Sequence, residues 1–185
     1  KNDKIRILGK GITALALKDK FPNATLYDDK DFENYDLQSE ELTVVSPGIP
    51  PYNNMVLNSK NVVSDYDLFE DIIPFSIWIS GTNGKTTTTQ MCQHLLKEYN
   101  SVCGGNIGIP LSHMDEKAPI WILETSSFTL HYTNKSKPNI YLLLPISEDH
   151  ITWHGSFKEY QDAKLKPLSL MNENEIAIIP EEFKD

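Results

Sequence analysis

The sequence predicts an α/β protein made of two consecutive parallel-sheet domains. Short apolar runs alternate with segments of helical periodicity along most of the 185 residues, which is typical of parallel sheets covered by helices. Two glycine-rich turns, at 9–11 and 81–84, each follow an apolar run and precede a helical segment. Pro74 precedes the point where the alternation starts again. We therefore predict one domain at 1–73 and a second at 74–185.

The composition is that of a soluble globular protein. Hydrophobic residues make up 39% and charged residues 23%, and no apolar run approaches the roughly 18 residues of a membrane span. The net charge of -9 argues against a nucleic-acid partner, which requires a basic face. Cys92 and Cys103 are too few for a disulfide framework and lack metal-site spacing. We expect reduced thiols in a cytoplasmic protein, because the residues at 1–6 contain no signal-peptide apolar region.

The first glycine turn is typical of a nucleotide-binding domain. The predicted strand Ile5–Leu8 leads into Gly9–Ala14, which reads Gly-x-Gly-x-x-Ala before a helical run. A second predicted strand, Thr25–Tyr27, ends at the acids Asp28 and Asp29, where such folds place a carboxylate on a ribose hydroxyl. The motif alone leaves open a dinucleotide-dependent dehydrogenase and a plain strand-to-helix turn.

A second candidate ligand loop follows the third predicted strand, Leu42–Val45. Ser46, Pro47 and Gly48 come directly after it, and loops at the carboxyl ends of parallel strands are where ligands bind in open α/β sheets. A plain connection is the alternative. Weak helical patterns at 55–58 and 66–72 flank a fourth predicted strand at 61–64.

The second glycine turn predicts a phosphate-binding loop after the strand Phe75–Ile79. Backbone N–H groups of such a turn, together with the following helix, bind phosphate oxygens. Lys85 would reach the terminal phosphates and Thr86 a magnesium ion. Ile79 stands where the usual motif has its first glycine, so the match is to a shortened form. The alternative is an ordinary turn before a helix capped by Thr82 or Asn83. The predicted nucleotide-binding residues are Gly81, Thr82, Asn83, Gly84, Lys85, Thr86 and Thr87.

Polar side chains at two later positions are further candidates. Asn106 lies in a glycine loop at 104–110 after a predicted strand at 101–103, and it either hydrogen-bonds a phosphate or carboxylate or fills a turn position. Glu124 ends the predicted strand Ile120–Leu123, where it either supplies a second magnesium ligand or caps the next helix.

The last third of the chain repeats the pattern. His150 follows a predicted strand at 139–144, much as Glu124 follows the strand before it. A helix beginning near Phe157 carries Tyr160 and Lys164, and a strand at 175–179 comes last. Spacing alone favours a solvated helix residue at Lys164.

Taken in order, these motifs resemble the Mur ligase family, the ATP-dependent amide-bond ligases of peptidoglycan precursor synthesis. Folylpolyglutamate synthases share the loop but usually follow the lysine with glycine, whereas this chain has Thr86. Within the family the motifs are most similar to the D-glutamate-adding members, although Thr129 replaces a common glutamine and Thr152 a frequent aspartate. The resemblance rests on Gly81–Thr88, Glu124 with Ser126–Phe128, Asp149–His150, His154–Ser156, Tyr160, Ala163–Lys164, Ser46–Ile49 and Gly105–Gly108.

The resemblance implies a Rossmann-like N-terminal domain followed by part of a P-loop ATPase-type central domain, with the carboxy-terminal amino-acid-binding domain absent. The first domain would hold the UDP of a substrate, which displaces the dehydrogenase interpretation. The implied substrate-binding residues are Gly11, Ile12, Thr13, Asp28, Ser46, Pro47, Gly48, Asn106 and Ser126.

The resemblance also implies a chemistry of ATP and two magnesium sites. Thr86 and Glu124 would bind one ion, and His150 with a carbamylated Lys164 the other. Lys85, Asn106, His150 and Lys164 are the implied catalytic residues, acting on UDP-N-acetylmuramoyl-L-alanine and D-glutamate in a monomer. We expect these 185 residues to bind the UDP substrate without turnover. The alternatives are a UDP-sugar-binding module without catalysis and a Mur-type ligase for another amino acid.

Overall fold

The computed structural model describes residues 4–28 and 30–184 and confirms the α/β class. Its first sheet is parallel throughout, in the order β2-β1-β3-β4. Asp29, the second acid of the predicted pair, lies outside the described residues. The strands are β1 (Ile5–Leu8), β2 (Thr25–Tyr27), β3 (Leu42–Val45) and β4 (Val62–Val63).

The second sheet is also parallel throughout, in the order β6-β7-β5-β8-β9. Its central strand, β5, is apolar at Ile77, Trp78 and Ile79, all of which are buried, as expected for a strand covered on both faces. The strands are β5 (Phe75–Ser80), β6 (Ser101–Gly105), β7 (Ile120–Glu124), β8 (Ile140–Leu143) and β9 (Ile176–Ile178).

Seven α-helices occur in the described part of the chain, and none of them is long and apolar enough to span a membrane. The sequence did not predict α6, whose four residues follow directly on His150. The helices are α1 (Ile12–Lys20), α2 (Asn54–Leu57), α3 (Asp65–Leu68), α4 (Lys85–Leu96), α5 (Ser127–Tyr132), α6 (Ile151–His154) and α7 (Phe157–Leu170).

Helix α3 and strand β4 are both shorter than the sequence predicts. Ser64 was expected in the strand, but it is the N-cap of α3, and its Oγ accepts a hydrogen bond from Asp67 N at 3.0 Å. The helix ends at Leu68 rather than Ile72, since Glu70 and Asp71 would place negative charge at the negative end of the helix dipole.

The two sheets share one hydrophobic core. We call residues 4–73 the N-terminal half and residues 74–184 the C-terminal half. A single cluster of buried side chains contains Ile7 and Val44 of the first sheet and Trp121 and Leu143 of the second. Tyr66 on α3 joins the halves, because its ring meets that of Trp78 edge-on with centres 4.8 Å apart.

Candidate functional site

The predicted phosphate loop is a strand–turn–helix between β5 and α4. Gly81 and Gly84 adopt positive φ angles of 139° and 82°, which favour glycine over every other residue. Gly84 is also the N-cap of α4, and no described side chain caps that end. The alternative that Thr82 or Asn83 caps the helix is therefore wrong, and the first-turn N–H groups remain available for an anion.

Gly81→Ala is expected to destabilise the chain by about 2–4 kcal/mol, from backbone strain and overpacking together. A Cβ at this position would lie 2.5 Å from Leu144 Cβ and 3.1 Å from Leu144 O. Urea unfolding measures the effect. Gly48→Ala is the matched control, since the site of its added Cβ has no heavy atom within 4 Å. Equal stability of the two variants would contradict this account of the loop.

Two lysines converge on the carbonyl oxygen of Gly81. Lys85 Nζ donates to Gly81 O at 3.0 Å and to Thr82 O at 2.9 Å, while Lys164 Nζ donates to Gly81 O at 2.8 Å. The expectation from spacing that Lys164 is solvated is wrong, because the residue is only 2% exposed. Burial, with the charge of Lys85 adding to it, lowers the pKa of Lys164 to about 7. The structure therefore places an amine that is partly neutral at pH 7 beside the loop.

Lys164→Met is expected to stabilise the chain at pH 6, with a gain that shrinks as the pH rises from about 7 towards 10.5. Between those values the unfolded chain binds a proton at Lys164 that the folded chain has lost, so folding of the parent becomes more favourable with pH. Urea unfolding of both proteins at pH 6 and pH 9.5 measures the difference. Exposed Lys158 provides the control variant Lys158→Met, and a gain independent of pH would contradict the assignment.

Glu124 connects the phosphate loop to the glycine loop at 104–110. Its carboxylate accepts a hydrogen bond from Thr86 Oγ1 at 2.7 Å and another from Asn106 Nδ2 at 2.9 Å. The backbone N–H of Asn106 also donates to Glu124 O at 2.9 Å. The alternative that Glu124 caps the next helix is wrong, because the cap of α5 is Ser126, whose Oγ accepts from Thr129 N.

The oxygens of Thr86 and Glu124 fit the preference of magnesium for hard ligands. Glu124 is 3% exposed, and its carboxylate lies against a hydroxyl at the start of a helix that would bind phosphates. Among the described residues, no group of three or more His, Cys, Asp or Glu side chains could hold a metal ion. Magnesium usually binds through one or two carboxylates and takes its other ligands from phosphates and water.

Tyr160 lies between His150 and the phosphate loop and contacts both. His150 follows β8 with a positive φ of 51°, and its side chain is 47% exposed. Tyr160 OH is 2.9 Å from Thr82 Oγ1, and the ring of Tyr160 lies 6.1 Å from that of His150. Lys164 Nζ is 4.9 Å from the centre of the same Tyr160 ring. Both predicted ligands of a second metal therefore flank one buried aromatic ring.

All but one of the substrate residues predicted from the sequence meet in one cleft between the halves, with a volume of about 550 Å³. Loops after β1, β2, β3 and β6 form its walls. It is lined by Gly9, Lys10, Gly11, Ile12, Thr13, Asp28, Ser46, Pro47, Gly48, Ile49, Gly105, Asn106, Ile107, Gly108 and Pro110. Ser126 is not among them, because its hydroxyl caps α5.

Lys10 lines the cleft within the turn Gly9–Thr13, where the resemblance implies contacts to the UDP group, but no role of its own was predicted for its side chain. Its Nζ lies 3.1 Å from Asp28 Oδ2 and 3.8 Å from Asp31 Oδ2. The available signal was its position between Gly9 and Gly11, inside the nucleotide-binding turn. Lys10 is the one cation among the described residues that line the cleft, and it lies against Asp28, the one acid among them.

The chain is similar in sequence to known proteins of one family. A family model for the Mur ligase middle domain matches residues 79–184. A protein from Campylobacter jejuni, named UDP-N-acetylmuramoylalanine–D-glutamate ligase, is 49% identical over 195 residues, covering 96% of this chain and 48% of the relative. A protein of the same name from Helicobacter pylori is 45% identical over 209 residues, covering 98% and 49%. The chain spans about half the length of these curated relatives.

Solved structures show the same fold at low sequence identity. UDP-N-acetylmuramate:L-alanyl-gamma-D-glutamyl-meso-diaminopimelate ligase from Neisseria meningitides has a TM-score of 0.59 and 14% identity, covering 98% of this chain and 72% of that one. The MurF ligase from Thermotoga maritima in complex with ADP has a TM-score of 0.52 and 18% identity, covering 98% and 43%. Since the family model also covers more than half of the sequence, the chain belongs to the Mur ligase family.

Proposed function

We propose that this chain supplies the UDP-substrate cleft and the ATP site of a ligase that adds D-glutamate to UDP-N-acetylmuramoyl-L-alanine in peptidoglycan precursor synthesis. The observation that carries the proposal is the pair of hydrogen bonds at Glu124. Thr86 belongs to the phosphate loop and Asn106 to the cleft wall, and both donate to this one carboxylate. A nucleotide phosphate and a substrate in the cleft would therefore meet at Glu124.

The N-terminal half is proposed to hold the UDP group. The start of α1 lies at the cleft without a described side-chain cap, so the N–H groups near Gly11, Ile12 and Thr13 can bind a diphosphate. Asp28 is suited to the nucleoside, and the loop Ser46–Gly48 to the sugar. The predicted division into domains at 73 and 74 and the role of Ser126 as a substrate contact remain predictions.

The C-terminal half is proposed to hold ATP. Gly81–Thr87 would surround the phosphates, and Lys85 would leave the loop carbonyls that it now contacts to neutralise the β- and γ-phosphates. Thr86 and Glu124 would hold one magnesium ion, and His150 a second together with modified Lys164. A bound magnesium ion supplies neutralisation of the charge that develops on the phosphate oxygens.

The proposed reaction forms an amide in two steps. A carboxylate oxygen of the substrate alanine attacks the γ-phosphorus, the bond to the β–γ bridging oxygen breaks, and ADP leaves. The amine of D-glutamate then attacks the acyl carbon, the C–O bond breaks, and phosphate and a proton leave. Both reactants of the first step are anionic, so the site must mainly neutralise charge and align them. Lys85, the loop amides and Asn106 are proposed to do so.

Carbamylation of Lys164 is part of the proposal. The neutral amine attacks carbon dioxide and loses a proton, which replaces the neutral amine with an anionic carbamate whose oxygens can serve as ligands. The burial of Lys164 and its lowered pKa of about 7 favour the neutral amine that this step needs. A cytoplasmic monomer is the proposed working form.

Coupled ADP release tests the proposed activity. A full-length ligase carrying this sequence, supplied with ATP, magnesium and UDP-N-acetylmuramoyl-L-alanine, should release ADP only when D-glutamate is added. L-alanine, L-lysine and meso-diaminopimelate serve as the competing amino acids. Release with one of these instead would favour a different Mur-type ligase. Substrate binding without ADP release would favour a UDP-sugar-binding module.

A further inference from the structure

We propose that Asp67 is a positioning residue that locks the two halves of the chain in the orientation that forms the cleft. Its carboxylate accepts three backbone hydrogen bonds from the other half. Asn134 N donates to Oδ2 at 2.7 Å, and Lys135 N and Ser136 N donate to Oδ1 at 3.0 and 2.9 Å. We call this contact the Asp67 clasp.

Further hydrogen bonds hold both sides of the clasp. On α3, Asp67 is held by the N-cap bond from its own N–H to Ser64 Oγ. On the other side, the segment 134–136 directly follows α5, and Lys166 Nζ donates to both His131 O at 2.7 Å and Asn134 Oδ1 at 2.8 Å. A carboxylate that receives several N–H groups makes stronger hydrogen bonds than a neutral acceptor would.

A second cross-link lies beside the clasp. Thr133 Oγ1 is 2.9 Å from Ser64 Oγ, and this pair is buried. Residues 69–74 connect the halves covalently, so a rotation about this connection would have to break the clasp and the Thr133–Ser64 contact together. Hydrogen bonds are directional and apolar packing is not, so these polar contacts define the angle between the two halves more closely than the apolar core does.

The orientation matters because the cleft has walls from both halves. Gly9–Thr13 and Ser46–Ile49 come from the N-terminal half, and Gly105–Gly108 from the C-terminal half. The phosphate loop lies within the C-terminal half alone. Loss of the clasp should therefore weaken a ligand that spans the cleft while leaving ATP binding unchanged. This consequence for ligands rests on the proposed function, whereas the effect on orientation does not.

A distance measurement tests the clasp without any ligand. Spin labels at Asn23→Cys and Glu173→Cys, with Cys92 and Cys103 replaced by alanine, report the distance between the halves. In Asp67→Ala we expect the distance distribution to broaden at least twofold. Asp71→Ala removes an exposed acid from the connection 69–74 and should leave the distance distribution unchanged. An unchanged distribution in Asp67→Ala would overturn the proposal.

Ligand titrations separate positioning from general destabilisation. Asp67→Ala should weaken binding of UDP-N-acetylmuramoyl-L-alanine at least fivefold and change ATP-magnesium affinity less than twofold. Equal weakening of both ligands would overturn the positioning role. If the parent chain bound no UDP ligand, the proposed function would fail, and the label distances would still decide the clasp. Asp67→Asn, which keeps one acceptor oxygen, replaces the alanine variant if that variant does not fold.

Discussion

Lys164→Ala is expected to lower the rate of amide formation about 10²- to 10³-fold in a full-length ligase carrying this sequence, as when a group that stabilises transition-state charge is removed. The substitution deletes the amine beside Gly81 O and with it the proposed carbamate. Steady-state ADP release measures the effect. Acetate or formate should restore part of the activity, because either anion can occupy the space of the lost carbamate oxygens.

Lys158→Ala is the matched control for this experiment. Lys158 lies on the same helix, but its side chain is exposed and its Nζ contacts Asp162 Oδ2 rather than the phosphate loop. The control should retain most of the activity and show no response to acetate. Full activity in Lys164→Ala would contradict the proposed carbamate at Lys164. An equal response of both variants to acetate would show that the rescue is not specific to this site.

Glu124→Ala is expected to produce a loss of similar size, about 10²- to 10³-fold, for a different reason. It removes a proposed magnesium ligand and leaves Thr86 Oγ1 and Asn106 Nδ2 without the carboxylate that both now contact. The magnesium concentration needed for half-maximal ATP binding should rise as well. Calorimetric titration of ATP at several magnesium concentrations measures that dependence.

Glu98→Ala, at an exposed acid following α4, controls for the loss of one negative charge. Its magnesium dependence should match that of the parent. If ATP binding to Glu124→Ala kept the magnesium dependence of the parent, Glu124 would be a structural residue that joins two loops and would have no role as a metal ligand.

The sequence predicted most of the fold because local patterns decide most of it. Strands β1, β2 and β3 have the predicted bounds, since short apolar runs between turn residues allow few alternatives. The length of helix α3 was overestimated, because the position of its end depends on the acids Glu70 and Asp71. The turn at Gly81–Gly84 was predicted from its glycines, the strand before it and the Lys85–Thr86 pair after it, and its backbone angles agree with that prediction.

The candidate site was harder to predict from the sequence, since it depends on tertiary contacts. Nothing in the spacing of Lys164 indicated that α7 would bury it against Gly81 O. Nothing in the sequence near Asn106 indicated that its side chain would hydrogen-bond Glu124 instead of lying in a solvent-exposed turn. Asp67 carried no signal at all, because its partners lie nearly seventy positions away. In each case the role comes from packing between segments that are distant in sequence.

Titration calorimetry of the 185-residue chain with UDP-N-acetylmuramoyl-L-alanine tests the central claim most directly, because it examines the cleft between the halves without requiring turnover. The account predicts one ligand per chain, displaced by UDP and unaffected by NAD. An absence of binding, or a cleft that binds NAD in place of the UDP ligand, would contradict it.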